Sequence, residues 1–173
     1  MTFDFSWSLA AVALVLAQPL AAEGYETKTY GHILVSCYEA GADPDGRTAC
    51  IGEMASTCME TEEGGHSTLG MTSCLSGEAQ IWDRFLNEEY QATRSFAAAM
   101  DEDEREYFPE FARRVEALQV AQRAWIAFRD AECDLSYAEW GSGSMRNIAW
   151  ADCNLQMTAE RTIELRAMRE RFE

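Results

Sequence analysis

Two cysteines stand at equal distances on either side of a glycine- and serine-rich turn in the C-terminal half of the chain. Cys133 precedes and Cys153 follows the segment WGSGSM, and Gly143 is the midpoint between them. In an antiparallel pair of helices, facing residues keep a nearly constant sum of residue numbers, so these two cysteines should face each other. The sequence therefore predicts a helical hairpin closed by a disulfide, which for a loop of about 20 residues contributes about 3 kcal/mol in the chain-entropy model.

Both arms of this hairpin carry apolar residues at helical spacing. The first arm is predicted to begin at about Pro109, since proline suits the first turn of a helix, and the second arm to run over about 144–171. The same register sets Trp125 opposite Arg161, so we expect the guanidinium to lie against the indole. We interpret Trp125 and Phe128 as core side chains. The apolar series of the first arm is Phe111, Val115, Leu118, Ala121, Trp125 and Phe128, and that of the second is Ile148, Ala151, Leu155, Thr158, Thr162 and Leu165.

The rest of the chain is also predicted to be helical. Short helices fit GHILVSCYEA and TACIGEMASTCME, and a long periodic segment extends from about Met71 to Met100. The acidic cluster DEDE, residues 101–104, should interrupt that segment, and its charges favour the N-terminal end of the following helix. No alternating strand pattern of useful length occurs. The predicted fold is all-α: a disulfide-stapled helical bundle with a long C-terminal antiparallel helical hairpin.

The four remaining cysteines, Cys37, Cys50, Cys58 and Cys74, can pair in two ways. If Cys50 and Cys58 share one helix, they are about 12 Å apart along its axis, too far for a disulfide between them. Cys37 would then pair with Cys50 and Cys58 with Cys74, each closing a glycine-containing loop. The crossed set, Cys37 with Cys58 and Cys50 with Cys74, stays open. Zinc is disfavoured, because the cysteine gaps of 13, 8, 16, 59 and 20 residues do not match the short pairs of zinc sites.

The N-terminus has the pattern of a secretory signal. The apolar run LAAVALVLA is shorter than the roughly 20 residues that span a bilayer, and the small residues Ala21 and Ala22 follow it. The preceding segment MTFDFSWS contains no Lys or Arg, which departs from the usual pattern. We predict a signal peptide over residues 1–22 and one helical domain over 23–173, without stable membrane insertion after cleavage. The even cysteine count suits the same oxidising destination.

Charge limits the possible partners. With 14 basic and 30 acidic side chains, the net charge is −16, which disfavours nucleic acid and anionic membranes and favours a basic protein. Two candidate contact regions follow from the sequence. They are the acidic cluster Asp101, Glu102, Asp103 and Glu104, and the turn residues Ser142 and Ser144. In the alternative interpretation, the acids are only a solvated surface and the turn is only a connection.

Several motifs in fixed order resemble the LprI-like lysozyme inhibitor family, in its N-terminal-domain type. They are CLSGEAQIWDRFLNEEY, AQRAWIAFRDAEC, GSGS and CNLQMTAERTIEL, and the resemblance extends from Cys74 to about Met168. The resemblance implies a protein of the bacterial periplasm or secreted from the cell, which binds and inhibits a lysozyme without a cofactor. The matching positions are interpreted as scaffold rather than as a catalytic set; they are Leu86, Asn87, Tyr90, Trp125, Phe128, Arg129, Asp130, Cys133, Cys153, Thr158 and Arg161.

Within this motif, Arg129 and Asp130 should not simply pair, because adjacent helix positions diverge by about 100°. We expect Arg129 to reach an acid on a neighbouring helix, and Asp130 either to be solvated or to meet a partner.

An enzyme is disfavoured, since the sequence contains no nucleophile elbow, phosphate loop or His-centred arrangement. The alternative function is a periplasmic envelope adaptor or a metal-handling module that uses acids, His66 and the methionines Met54, Met59 and Met71.

Overall fold

A computed structural model describes residues 24–172 of the chain. Helices and their connections account for this whole range, which contains no strand, so the all-α prediction is confirmed. No helix within residues 24–172 combines the length and the apolar character needed to cross a bilayer. The predicted signal peptide lies outside the described residues. The elements are α1 (Tyr25–Ala40), α2 (Pro44–Thr48), α3 (Glu53–Thr61), α4 (Thr68–Tyr107), a 3₁₀ turn (Pro109–Phe111), α5 (Arg114–Glu139) and α6 (Met145–Glu170).

The main core lies where α1 and α3 pack on the first half of α4 and α4 packs along α6. Trp82 of α4 is its largest fully buried side chain. The edge of its ring meets Tyr38 of α1, with ring centroids 5.4 Å apart, and Phe85 stacks on Tyr38 at 4.7 Å. Aromatic contacts of this kind add to the free energy of apolar burial, so they tie the N-terminal helices firmly to α4.

Disulfides join the elements as the loop-closing alternative predicted. Cys37 bonds to Cys50, Cys58 to Cys74, and Cys133 to Cys153. One premise of that prediction was wrong, because Cys50 lies in the turn between α2 and α3 and does not share a helix with Cys58. The reason is Gly52, whose positive φ of 88° lets the chain turn before α3 begins.

A buried carboxylate explains how α3 is held at that turn. Glu78 of α4 has no exposed surface and accepts backbone hydrogen bonds from Gly52 at 2.7 Å and Ala55 at 2.8 Å. Its Oε1 also accepts a hydrogen bond from the Trp82 indole at 3.0 Å. A side chain of α4 therefore satisfies the free N–H groups at the start of α3. Burial raises the pKa of Glu78, against the lowering influence of these hydrogen bonds.

The long helix does not stop at the acidic cluster, contrary to the sequence prediction. All four acids, 101–104, lie inside α4, which continues to Tyr107. Pro109 begins only the 3₁₀ turn, and α5 starts later, at Arg114. The corner is closed by Asp101, which is buried and accepts the N–H groups of Arg114 at 2.9 Å and Val115 at 3.0 Å. The acids are compatible with a helix, and one of them is needed to cap the next.

The predicted C-terminal hairpin is formed by α5 and α6, but α5 buries little of itself. Only Leu118, Gln122 and Cys133 of this helix are buried. Phe128 is 58% exposed, so its assignment to the core was wrong. Since Phe128 immediately precedes Arg129, which lies on the inward stripe, it points about 100° away from that stripe.

Candidate partner-binding site

The indole of Trp125 lies beside two guanidinium groups at the centre of the hairpin. Arg161 of α6 is 5.9 Å from the ring centroid, which confirms the contact expected from the register. Arg129 of α5 is closer still, at 5.1 Å. Trp125 itself is half-buried, so it seals the boundary between α5 and α6 rather than filling a deep core.

Hydrogen bonds fix both arginines. Arg161 donates to Gln122 at 3.0 Å and to Glu164 at 2.6 Å. Arg129 donates to Asp130 at 2.9 and 3.0 Å and to Thr158 at 3.4 Å. The expectation that Arg129 and Asp130 would not pair was therefore wrong. Two adjacent backbone positions diverge, but the long side chain of Arg129 folds sideways to reach the neighbouring carboxylate.

The α4 part of the motif forms a small second core with the hairpin. Leu86 is buried against Leu118 and Leu165, and Tyr90 and Trp125 pack on its edge. Asn87 instead donates to the Asp83 carbonyl of its own helix at 2.8 Å. Most motif residues therefore sit where α4, α5 and α6 meet.

Beside this junction an open groove follows α4 towards the hairpin turn. It consists of three adjoining cavities of about 220, 600 and 320 Å³. Asp83 and Arg129 line both the first and the second cavity, and Ser76 and Trp150 line both the second and the third. The motif residues Leu86, Asn87 and Tyr90 line the far end of the groove, so the junction also borders an accessible surface.

The hairpin turn at the other end of the groove is an exposed tip with aromatic flanks. Ser142 and Ser144 are exposed, as predicted for the turn, and Trp140 beside them is 50% exposed. Gly141 has a positive φ of 51°, and its carbonyl accepts a hydrogen bond from Arg146 at 3.3 Å. The disulfide at the base of the tip limits its motion. The tip therefore presents a constrained loop.

The aromatic side chains around this turn were not among the contacts predicted from the sequence. Tyr137, Trp140 and Trp150 are each more than one-third exposed, and the Arg146 guanidinium lies 5.3 Å from the Tyr137 ring centroid. The available signal was the occurrence of three aromatic residues close to a Gly/Ser turn. Exposed Trp and Tyr are enriched at the energetic centres of protein interfaces, so this tip is a stronger contact candidate than its two serines alone.

The acidic cluster proves to be mostly a structural feature. Arg114 pairs with Asp101 at 3.2 Å and with Glu104 at 2.7 Å, and Glu102 pairs with Arg105. Burial has the largest influence on the Asp101 pKa and raises it, but the N–H groups of Val115 and Arg114 and the guanidinium together lower it. Within residues 24–172, Asp103 forms no ion pair. Of the four acids of the cluster, Glu102 and Asp103 are the two whose charges are exposed to a partner.

The three methionines named for the metal-handling alternative lie in or against the main core. Met54 is fully buried, and Met59 and Met71 pack against the same core. Within residues 24–172, no three His, Cys, Asp or Glu side chains are grouped to hold a metal ion. The methionines are therefore part of the packing.

Comparison with known proteins agrees with the family resemblance. The model of the family described as lysozyme inhibitor LprI matches residues 58–165. The chain belongs to the LprI lysozyme inhibitor family. The matched range begins at Cys58 and thus includes the Cys58–Cys74 disulfide as well as the hairpin.

Two curated relatives are uncharacterized bacterial proteins. One, from Rhizobium meliloti (strain 1021), is 32% identical over 107 residues, which cover 62% of this chain and 77% of the relative. Another, a 17.7 kDa protein of Rhodobacter capsulatus, is 22% identical over 138 residues, covering 79% of this chain and 85% of the relative. No solved structure matches the chain significantly.

Proposed function

We propose that the chain is an exported protein, mature from residue 23, which binds and inhibits a lysozyme and performs no chemistry itself. Membership of the LprI family is the observation that carries this proposal. The exposed hairpin tip supports it with a surface suited to binding. In this proposal residues 23–173 act as one helical domain in the periplasm or outside the cell.

Inhibition by occlusion is the mechanism that fits this surface. Lysozymes cleave glycan strands in a cleft that holds two carboxyl groups. A constrained loop that enters the cleft excludes the substrate without needing catalytic groups. We propose that Trp140, Ser142 and Ser144 make this contact, because they project from a turn clamped by the Cys133–Cys153 disulfide. Pre-organisation of the loop lowers the entropic cost of binding.

Charge supports the encounter with a basic enzyme. The net charge of −16, which becomes −15 when Asp4 is removed with residues 1–22, creates a field that attracts a cationic protein and raises the association rate. Asp101 and Glu104 are excluded from direct contact in this proposal, because both serve the corner between α4 and α5. Glu102 and Asp103 remain as exposed charges at the rim.

Lysis assays test the proposal directly. Turbidity of a bacterial suspension would be followed with chicken-type, goose-type and invertebrate-type lysozymes, with and without the purified protein. We expect dose-dependent inhibition of at least one class. Trp140→Ala should raise the inhibitory concentration at least tenfold, the loss typical of an interface aromatic. Leu69→Ala is the matched control, since Leu69 is 81% exposed and lies at the start of α4.

Kinetics separate the tip from the rim charges. Neutralising Glu102 and Asp103 together should slow association and leave dissociation nearly unchanged, whereas bulky replacements at Ser142 and Ser144 should mainly speed dissociation. If no lysozyme of any class is bound at micromolar concentration in low salt, the inhibitor proposal fails and only the helical scaffold is left.

A further inference from the structure

The outward face of α5 carries an apolar stripe that has no partner within residues 24–172. Its large members are Val120, Phe128 and Leu135, which are 60%, 58% and 55% exposed. Alanines at helical spacing connect them along the same face. The stripe comprises Ala117, Val120, Ala124, Ala127, Phe128, Ala131, Leu135 and Ala138, all of them exposed.

The order of large and small residues along this stripe is almost the same in both directions of the helix. About a point between Ala127 and Phe128, Val120 is the counterpart of Leu135, and Ala124 is the counterpart of Ala131. Two antiparallel copies related by a two-fold axis at this point would therefore set Val120 against Leu135 and Ala124 against Ala131, while at the axis Phe128 of each copy would meet Ala127 of the other. A two-fold interface requires this self-complementarity, because the same patch serves both subunits.

Charges along one edge of the stripe fit the same arrangement. Arg123, Asp130 and Asp134 lie at i, i+7 and i+11, so they share one flank of α5. In an antiparallel pair, equivalent flanks face each other, and Arg123 would lie at a level between Asp130 and Asp134 of the second copy. Within residues 24–172, neither Arg123 nor Asp134 has an ion-pair partner in its own chain.

We propose that two copies of the chain associate through antiparallel α5 helices, with the two-fold axis between Ala127 and Phe128. The stripe from Ala117 to Ala138 is about 32 Å long. A contact along one helix is smaller than the roughly 800 Å² per partner of stable complexes, and each copy carries a net charge of −16. The dimer is therefore weak, with a dissociation constant in the micromolar range or above. The association is independent of lysozyme inhibition.

Cysteine cross-linking tests the register. Ala124→Cys and Ala131→Cys variants would be oxidised mildly, separately and as a mixture, and the products mapped with the native disulfides intact. In the proposed register positions 124 and 131 of different copies lie at the same level, while each is offset by about 10 Å from its own equivalent. The mixture should give cross-linked dimers joined through 124 and 131. Preferential cross-linking of either variant alone would indicate a parallel pair or a different antiparallel register, and either would overturn the proposal.

Sedimentation equilibrium up to a concentration of about 1 mM tests the surface itself. Phe128→Glu should weaken self-association at least tenfold, whereas Leu69→Glu, an equivalent change on α4, should leave it unchanged. Arg123→Asp should weaken the dimer, and adding Asp134→Arg should restore it in part. Circular dichroism checks that each variant keeps the parent's helical content. The proposal would be overturned if the protein stayed monomeric across the whole concentration range, or if Phe128→Glu left self-association unchanged. The stripe would then be a surface for a different partner.

Discussion

The helices α4 and α5 show how differently two long helices of one bundle can be used. Twelve residues of α4 are buried, among them Trp82, whereas α5 buries only three. The Cys58–Cys74 disulfide and the buried Glu78 join α3 to the first half of α4, and the Cys37–Cys50 disulfide joins α1 to the turn before α3. One disulfide and the contacts of Trp125 hold α5 to α6. The first region therefore holds most of the buried core, and the second leaves more of its side chains exposed.

Two tryptophan substitutions give the largest expected contrast between these regions. Trp82→Ala removes a ring with no exposed surface and should lower the free energy of unfolding by about 3–5 kcal/mol. Trp140→Ala removes a half-exposed ring at the tip and should change the free energy of unfolding by less than about 0.5 kcal/mol. Urea unfolding followed by circular dichroism measures both. Similar losses for the two variants would contradict the division between core and tip.

Removing the hairpin disulfide sharpens the comparison. The double variant Cys133→Ser/Cys153→Ser should lower the free energy of unfolding by about 3 kcal/mol, since the closed loop contains about 20 residues. Hydrogen exchange should speed up along α5 and the turn, while the amides of α3 and the first half of α4 remain protected under native conditions. Uniform loss of protection would mean that the two regions unfold as one cooperative unit.

The sequence was sufficient for those features that depend on spacing. The midpoint at Gly143 gave the Cys133–Cys153 pair, and helical periodicity gave the all-α fold. The same periodicity failed at Phe128, because it identifies an apolar face without indicating whether anything covers that face. Only the tertiary arrangement reveals that, among residues 24–172, α5 has no neighbour on its outer side.

Long-range hydrogen bonds were the other feature that could not be predicted from the sequence. Asp101 and Glu78 each cap a helix that starts elsewhere in the chain, and no local pattern identifies such pairs. The acidic cluster was therefore expected to end a helix, whereas it lies inside α4 and two of its members, Asp101 and Glu104, hold the corner between α4 and α5. The exposed Trp140 could have been found, because aromatic residues beside a Gly/Ser turn are visible in the sequence.

Trp125→Ala should have an intermediate effect. Because the indole is half-buried and contacts two guanidinium groups, we expect a loss of about 2 kcal/mol, less than that of a fully buried ring. Trp125→Phe should recover part of this loss, since a phenyl ring keeps an aromatic face for Arg129 and Arg161. A loss equal to that of Trp82→Ala would place Trp125 in the cooperative core and weaken the distinction between the two regions.

The smallest expected effects concern the two buried carboxylates, Asp101 and Glu78, and the way each makes the stability of the protein depend on pH. Arg114 and two backbone N–H groups outweigh burial at Asp101, so its pKa lies below the ordinary value; the stability it gives is present above about pH 4 and is lost as pH falls through the lowered pKa. Within residues 24–172, no cation pairs with Glu78, and burial raises its pKa. Ionisation of Glu78 therefore reduces stability as pH rises from its unfolded-state pKa through the raised value.

Asp101→Asn should cost roughly 1 kcal/mol at neutral pH, as loss of a helix cap does, and should flatten the decline of stability in acid. Glu78→Gln should instead remove a loss of stability that occurs at higher pH, although it replaces one carboxylate oxygen, which accepts a backbone N–H, with an amide group that only donates. Thermal unfolding midpoints between about pH 3 and pH 7 measure both slopes, and an acid decline as steep in Asp101→Asn as in the parent would show that this corner is not held by the ionised carboxylate.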